Sequence, residues 1–158
     1  MSSRFLTGYL PYVLRKTDQT LSAPFYAVLN THGIARSEWR VLAVLHDMGE
    51  MGVIDLAAAA LSPQPTVTHA VRRLAERGLV NRKPGVEDKR QRLVSTTPSG
   101  AKLTELLMQE AAHLERDLLG DAGDLTDLIE QLQELTLNIE QRIALRIEQG
   151  ADQTEEAV

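Results

Sequence analysis

The sequence contains no cysteine. This absence excludes disulfides, thiolate nucleophiles, cysteine-ligated zinc and thiol-based redox sensing. Four histidines are present, and no two of them lie three or four residues apart, the spacing at which a helix brings two imidazoles to one metal ion. We therefore predict no metal site and no cofactor.

Long hydrophobic runs are also missing. No apolar run approaches the roughly 20 residues that are needed to cross a bilayer, and the N-terminus, MSSRFLTGYLPYVLRK, lacks the charged start and apolar stretch of a secretory signal. The composition, 43% hydrophobic and 25% charged, is that of an ordinary globular protein. The sequence thus predicts a cytoplasmic protein that does not associate with a membrane.

Patterns typical of catalysis are lacking as well. The chain has no Ser/His/Asp order of a catalytic triad, no glycine-rich phosphate loop, no HExxH pattern and no convincing carboxylate pair. The short segment Gly49-Glu50-Met51-Gly52 is too small to cradle a phosphate. We predict that the protein is not an enzyme.

What the chain does have is a segregated charge. The net charge of the 158 residues is −5, yet residues 36–100 carry ten Lys/Arg against seven Asp/Glu, and residues 101–158 carry four against fourteen. Within residues 72–92 alone, eight bases stand against three acids. A local basic patch on an acidic protein predicts that one region contacts phosphates and the rest is solvated.

The apolar spacing predicts a mainly α protein with a small β-hairpin. Apolar residues at helical steps, with Gly and Pro punctuation, predict helices over about 4–31, 37–48, 53–60, 63–77, 101–118 and 124–148. Pro11 and Pro24 mark a start or a kink in the first of these, and Ser37 and Ser62 are candidate N-caps for the second and the fourth. The tail 150–158 is expected to be disordered.

Residues 62–100 carry the most informative pattern. In the predicted helix 63–77, apolar residues fall on one side, and small polar and basic residues fall on the other. Strands at Leu79-Val80 and 93–97 then enclose a polar, arginine-rich hairpin loop. A helix in the major groove followed by a basic loop in the minor groove is the outline of a winged helix that reads DNA. Candidate DNA-contacting residues are Thr66, Thr68, His69, Arg72 and Arg73 on the helix, and Lys89, Arg90 and Arg92 on the loop.

One acidic residue stands inside this basic loop. Asp88 would be an odd choice if positive charge were the only requirement. We interpret it as structural, because its carboxylate can accept hydrogen bonds from Arg90 or a nearby backbone N–H and so hold the shape of the loop.

These residues carry a family resemblance. The run Asp55-Leu56-Ala57, Val67-Thr68, Leu74, Gly78-Leu79-Val80, Arg82, Asp88-x-Arg90, Thr97 and Gly100 resembles the MarR family of bacterial winged helix-turn-helix regulators. The resemblance extends over nearly the whole chain. It implies a DNA-binding lobe at 36–100 and a helical dimerisation region built from 1–35 and 101–149.

The resemblance also implies how such a protein works. A homodimer would place one recognition helix per subunit in a major groove of a palindromic operator on double-stranded DNA, and it would most often act as a repressor. Such regulators often lose DNA affinity on binding a small aromatic or otherwise apolar anion. Candidate residues for that effector site are Tyr9, Tyr12, Arg15, Trp39 and His46, with Arg15 as the counter-charge and the aromatic rings as walls. Tyr9 and Trp39, together with Met108, are also explained as ordinary core or interface residues.

One alternative remains from another functional class. A winged helix can serve as a protein-interaction module without direct DNA binding, with its leucine-rich helices mediating assembly. Neutralising the arginines of the recognition helix and the loop would discriminate between the two, because partner binding would then survive the loss of DNA binding.

Overall fold

A computed structural model describes residues 5–85, 92–120 and 124–155. Within these ranges the chain is mainly helical with a small antiparallel sheet, as predicted, and each helix is too short or too polar to cross a membrane. The elements in chain order are α1 (Phe5–Gly8), α2 (Leu10–Thr31), α3 (Arg36–Met48), β1 (Met51–Gly52), α4 (Val53–Ala59), α5 (Gln64–Glu76), β2 (Val80–Pro84), β3 (Arg92–Thr96), α6 (Pro98–Leu119) and α7 (Thr126–Glu155).

The chain divides into two compact units, residues 1–118 and residues 119–158. In the first unit, one hydrophobic core joins the long helices to the winged-helix elements. Phe25 and Leu29 of α2 and Leu107 of α6 pack in the same core as Leu42 and Leu74 of α3 and α5. The core therefore runs across the boundaries at 35/36 and 100/101 that the sequence suggests.

The two prolines of the first helical segment have different positions. Pro11 lies in the first turn of α2, where its missing N–H leaves no hydrogen bond unmade. Pro24 lies inside the helix, which continues past it to Thr31. Tyr9 precedes α2 in an extended conformation and separates it from the short helix α1.

Three helices end with the same hydrogen-bonding pattern. After α2, the N–H of Gly33 donates to Asn30 and the N–H of Ile34 donates to Leu29. The equivalent pairs of bonds follow α5 and α4, and each is the Schellman arrangement, in which one residue adopts a left-handed conformation. That residue is Gly33 (φ 62°) after α2 and Gly78 (φ 69°) after α5, but it is Leu61 (φ 49°) after α4.

The two serines predicted as N-caps do not cap helices. Helix α3 begins one residue before Ser37, and the side chain that serves its first turn is Glu38, whose Oε2 accepts the N–H of Ala35 (2.6 Å). Helix α5 follows Pro63, and the hydroxyl of Ser62 donates instead to the carbonyl of Ala60 (3.0 Å). Both predictions are wrong, because Ser37 lies inside α3 and the hydroxyl of Ser62 is bonded to the preceding turn instead of to α5.

The sheet has three strands in the order β1-β3-β2, where the sequence predicts a hairpin of two. Val80 pairs with Thr96 and Arg82 pairs with Val94 across β2 and β3, while Met51 pairs with Val94 on the other side. Strand β1 is only two residues long, so it has no alternating pattern that a sequence could reveal.

Thr97 and Gly100 tie the sheet to α6. Thr97 Oγ1 donates to the carbonyl of Gly78 (2.8 Å) and accepts the N–H of Gly100 (3.0 Å), which lies in the first turn of α6. A Cβ on Gly100 would lie 1.9 Å from the carbonyl oxygen of Leu79. This close approach explains the Thr-x-x-Gly spacing, since the threonine supplies the cap and the glycine leaves room for the neighbouring backbone.

The second unit consists mainly of α7. Asp124 precedes this helix and accepts the N–H of Thr126 (2.9 Å) and also its hydroxyl. These two hydrogen bonds lower the pKa of Asp124 below its ordinary value of 3.8. The helix continues to Glu155, so it includes most of the segment that the sequence assigns to a tail; residues 156–158 lie outside the described residues.

Candidate nucleic-acid interface

Helix α5 has the two faces that its sequence predicts. Val67, Ala70, Val71 and Leu74 are buried in the core of the first unit. The five candidate DNA-contacting residues of this helix are all exposed: Thr66, Thr68, His69, Arg72 and Arg73. The apolar face holds the helix on the core and leaves the polar face open to a ligand as large as a DNA groove.

An arginine from the sheet joins the exposed face of α5. Arg82 of β2 lines an open groove of about 540 Å³ together with residues of α5, namely Gln64, Pro65, Thr68, His69 and Arg72. Arg82 lies on the same strand face as the buried Val80, because alternate residues of a strand point to the same side. The helix and the sheet therefore present one continuous basic surface.

Hydrogen bonds orient two side chains of this groove. A guanidinium N–H of Arg72 (Nη2) lies 3.1 Å from His69 Nδ1. Because a guanidinium can only donate, Nδ1 must be the acceptor and the ring proton must be on Nε2. The imidazole thus has its remaining N–H free to donate to a DNA acceptor. The hydroxyl of Thr68 donates to the carbonyl of Gln64 (2.9 Å), which leaves its oxygen as an acceptor.

Charge on the wing strands is divided between free and paired groups. Arg92 of β3 and Arg82 of β2 line a smaller cleft of about 210 Å³ and are not ion-paired to any described residue. Lys83 Nζ, in contrast, lies 2.8 Å from Glu50 Oε2. The other predicted wing residues, Asp88, Lys89 and Arg90, lie outside the described residues.

Arg73 differs from its neighbour Arg72. Its Nε lies 2.9 Å from Oε1 of Glu38, a carboxylate that is fully buried. The contact is an ion pair without the alignment of a hydrogen bond. Arg72 is exposed, and its ionic partner among the described residues is the exposed Glu76, at 3.8 Å. Of the two arginines of α5 that are predicted to contact DNA, only Arg72 has a guanidinium that is not engaged by the buried Glu38.

A second cleft lies between α2, the start of α3 and the turn before α5. It has a volume of about 920 Å³. Three arginines line it, namely Arg15, Arg36 and Arg40, and the guanidinium of Arg36 lies 3.8 Å from the ring centre of Tyr26, close enough for a cation–π contact. Arg40 donates weakly to Ser62 Oγ (3.4 Å). The cleft also reaches Thr66 on the exposed face of α5.

Of the five candidate effector residues, the structure brings only Arg15 to this cleft. Tyr9 and Tyr12 are exposed near the start of α2, and Tyr9 stacks on Phe5 with ring centres 4.8 Å apart. Trp39 is half-buried and meets Phe25 edge to face, with ring centres 5.0 Å apart. His46 is exposed in the last turn of α3. The described residues contain no cluster of His, Asp and Glu that could hold a metal ion.

Sequence reasoning missed Arg82, Glu38 and Tyr26. The alternation from the buried Val80 could have directed Arg82 toward α5. Glu38 sits among apolar residues on one face of α3, a position where a carboxylate requires a partner. No comparable pattern was available for Tyr26, because its role depends on how α2 packs on α3.

The sequence matches the model of a known protein family. The model of the MarR family matches residues 34–91, which include α3, β1, α4, α5 and β2. This range contains the exposed face of α5 and Arg82.

Individual relatives extend the similarity over most of the chain. A MarR family transcriptional regulator from Silicibacter pomeroyi, SPO1453, is 34% identical, with a TM-score of 0.71 over 85% of this chain and 99% of that structure. The HTH-type transcriptional regulator YwoH of Bacillus subtilis is 29% identical over 76% of this chain and 87% of its own length. BpsR of Bordetella bronchiseptica, whose DNA binding is regulated by 6-hydroxynicotinic acid, is 24% identical and shares the fold, with a TM-score of 0.71 over 89% of this chain and 98% of that one.

Proposed function

Because the chain belongs to the MarR family of transcriptional regulators, we propose that it acts as a homodimeric repressor that leaves a palindromic operator when it binds a small aromatic or apolar anion. Members of this family regulate transcription and are not enzymes. The observation that carries the proposal is the basic surface formed by α5 and Arg82. The proposed protein would act in the bacterial cytoplasm, which contains the DNA.

In the proposed complex, α5 enters a major groove and the wing follows the adjacent minor groove. Thr66, Thr68 and His69 would contact phosphates or base edges near the start of the helix. Arg72 and Arg82 would add positive charge on either side of the groove. The positive charge of the wing would come from Lys89, Arg90 and Arg92, and Asp88 would hold the shape of the wing.

The test is binding to DNA from the promoter region of the protein's own gene. Fluorescence anisotropy at several salt concentrations should give a specific complex with a steep salt dependence, because each neutralised phosphate releases counterions. Replacing Arg82 by Gln should weaken binding and reduce the slope of log K against log[salt] by about 0.9 per subunit. Lys102→Gln is the matched control, because Lys102 is a base of α6 that does not line this groove. The absence of a specific complex at low salt would contradict the proposed function.

Dimerisation is proposed to use residues 1–35 and 101–149. Large apolar side chains that would be costly to leave in water are exposed in both parts of the single chain. They are Phe5, Leu6, Leu10, Val13 and Leu14 near the N-terminus, and Leu128, Ile129, Leu135, Leu137, Ile139, Ile143, Leu145 and Ile147 in α7. Light scattering should give a mass twice the 17.5 kDa of one chain. A double change, Leu135→Glu with Ile139→Glu, should give monomers, whereas Gln133→Glu should not.

The effector is proposed to bind in the cleft that Arg15, Arg36 and Arg40 line. Its volume of about 920 Å³ suits a small molecule, its arginines would attract a carboxylate, and Tyr26 offers an aromatic wall. Because the cleft reaches Thr66 and the turn before α5, an occupant there would disturb the start of the helix that reads DNA.

A thermal-shift measurement with benzoate, 4-hydroxyphenylacetate and 6-hydroxynicotinate tests this assignment. A ligand at a hundred times its Kd stabilises the folded protein by about 2.7 kcal/mol. Arg15→Gln should reduce the shift, whereas Lys16→Gln, one residue away and not lining the cleft, should preserve it. Equal shifts in both variants would place the ligand elsewhere.

A further inference from the structure

Glu38 is a buried carboxylate at the centre of a small ionic network. Its side chain is fully buried on α3. Oε2 accepts the backbone N–H of Ala35 at 2.6 Å, Oε1 lies 2.9 Å from Nε of Arg73, and Oε2 lies 3.9 Å from Nη1 of Arg77. A carboxylate that is removed from water requires such partners, because an unpaired buried charge is strongly unfavourable.

Arg77 extends the network to the end of α2. Its Nη1 donates to the carbonyl of Gly33 (2.7 Å) and its Nη2 donates to the carbonyl of His32 (3.2 Å). These two carbonyls belong to the turn that joins α2 to α3. Arg77 directly follows α5 and is four residues after Arg73, so the two arginines lie on the same side at the end of this helix. The network therefore fastens the C-terminal end of α5 to the α2–α3 turn.

This attachment controls the part of α5 that would meet DNA. Arg73 is seven residues from Thr66, which corresponds to about 10 Å along a helix. A tilt of about 10° around the attached end would move the opposite end by about 2 Å. That displacement is enough to break hydrogen bonds to base edges, whose donor–acceptor distances are confined to a few tenths of an ångström.

We propose that Glu38 is a positioning residue for DNA binding, and that Arg73 acts on DNA through Glu38 rather than by contacting a phosphate. The inference rests on the proposed function, since it needs DNA binding as its readout. It separates two adjacent arginines by role: Arg72 contacts DNA, and Arg73 and Arg77 hold the helix that presents it.

The experiment compares four variants of the full chain, namely Arg72→Gln, Arg73→Gln, Glu38→Gln and the double variant Glu38→Gln with Arg73→Gln. The DNA affinity of each is measured over a range of salt concentrations. Arg72→Gln should reduce the slope of log K against log[salt] by about 1.8 in a dimer, at 0.9 for each of two lost phosphate contacts. Arg73→Gln should weaken binding at least tenfold and leave the slope unchanged.

The double variant tests whether Arg73 acts through Glu38. If it does, the double variant should have the same DNA affinity as the single variant that binds DNA more weakly. The second substitution then removes no further contribution to binding. Losses that add, or a slope that falls in Arg73→Gln as it does in Arg72→Gln, would overturn the proposal. If the wild type does not bind DNA, the proposed function fails instead, so the two failures are distinguishable.

A measurement on the wild type covers the case in which a variant does not fold. The NMR signal of the Arg73 Nε–H, assigned in the wild type through its side-chain correlations to the Arg73 backbone, should stay in place when DNA is added. The Arg72 signal should move on the same addition. A large shift of the Arg73 signal would overturn the proposal.

Discussion

The left-handed conformation of Leu61 gives a prediction with an unusual sign, namely that shortening an apolar residue stabilises the protein. Leu61 (φ 49°) occupies the position in the turn after α4 that glycine occupies after α2 and α5. The conformation costs a residue with a Cβ roughly 1–2 kcal/mol. Leu61 regains little of this by burial, since 87% of it is exposed.

The expected gain from Leu61→Gly follows from two opposing terms. Relief of the backbone strain contributes roughly 1–2 kcal/mol, and the greater freedom of glycine in the unfolded chain removes about 0.5–1 kcal/mol. The net increase in the free energy of unfolding is about 0.5–1 kcal/mol. For a chain of this size the melting temperature should rise by about 1–4 °C.

Thermal unfolding followed by circular dichroism measures this shift. Leu61→Ala is the matched control, because it removes the exposed side chain and keeps the Cβ, and its effect should stay within about 0.5 kcal/mol. If Leu61→Gly destabilises the protein, or if Leu61→Ala stabilises it equally, backbone strain at this position is not the cause and the reasoning fails.

Two further predictions concern glycine and pH. Gly100→Ala should destabilise the protein by about 3 kcal/mol in urea unfolding, because the added Cβ would overlap the carbonyl oxygen of Leu79. Gly8→Ala is the control, because Gly8 has open space around it. Equal stability of the two variants would contradict the predicted clash. Asp124→Asn should weaken α7 at neutral pH. Because the pKa of Asp124 is lowered, the stabilisation that its carboxylate provides is complete above pH 3.8 and is lost as the pH falls further. The difference in stability between wild type and variant should therefore shrink in acid. A difference that is unchanged in acid would contradict this account of the hydrogen bonds from Thr126.

Periodicity made the helices and the exposed face of α5 predictable. Val67, Ala70, Val71 and Leu74 recur at helical spacing, and this alone determines which side chains of α5 remain outside. The charged residues could be counted in the sequence, but the sequence does not show which of them form ion pairs with one another. Arg72 and Arg73 are adjacent and chemically identical, and only the position of Glu38 on another helix separates them.

The capping errors have a similar origin. Serine is a favourable N-cap, so local patterns favour Ser37 and Ser62 at these positions. At Ser37 the helix starts earlier because Glu38 binds the N–H of Ala35, and that carboxylate is held in place by α5. At Ser37 a contact between two helices therefore holds the carboxylate that starts α3, and such contacts are outside the reach of local patterns. The same holds for the cleft around Arg15, which gathers residues from three separate segments.

The ionic network of Glu38 also limits how this protein can change during evolution. Loss of either arginine alone leaves a buried negative charge with too few partners, whereas replacing the whole group by apolar residues of similar volume is often tolerated. Homologues should therefore keep the acidic and basic members together or lose them together. A homologue that retains the carboxylate at the position of Glu38 after losing the bases of Arg73 and Arg77 should have acquired another cation beside it.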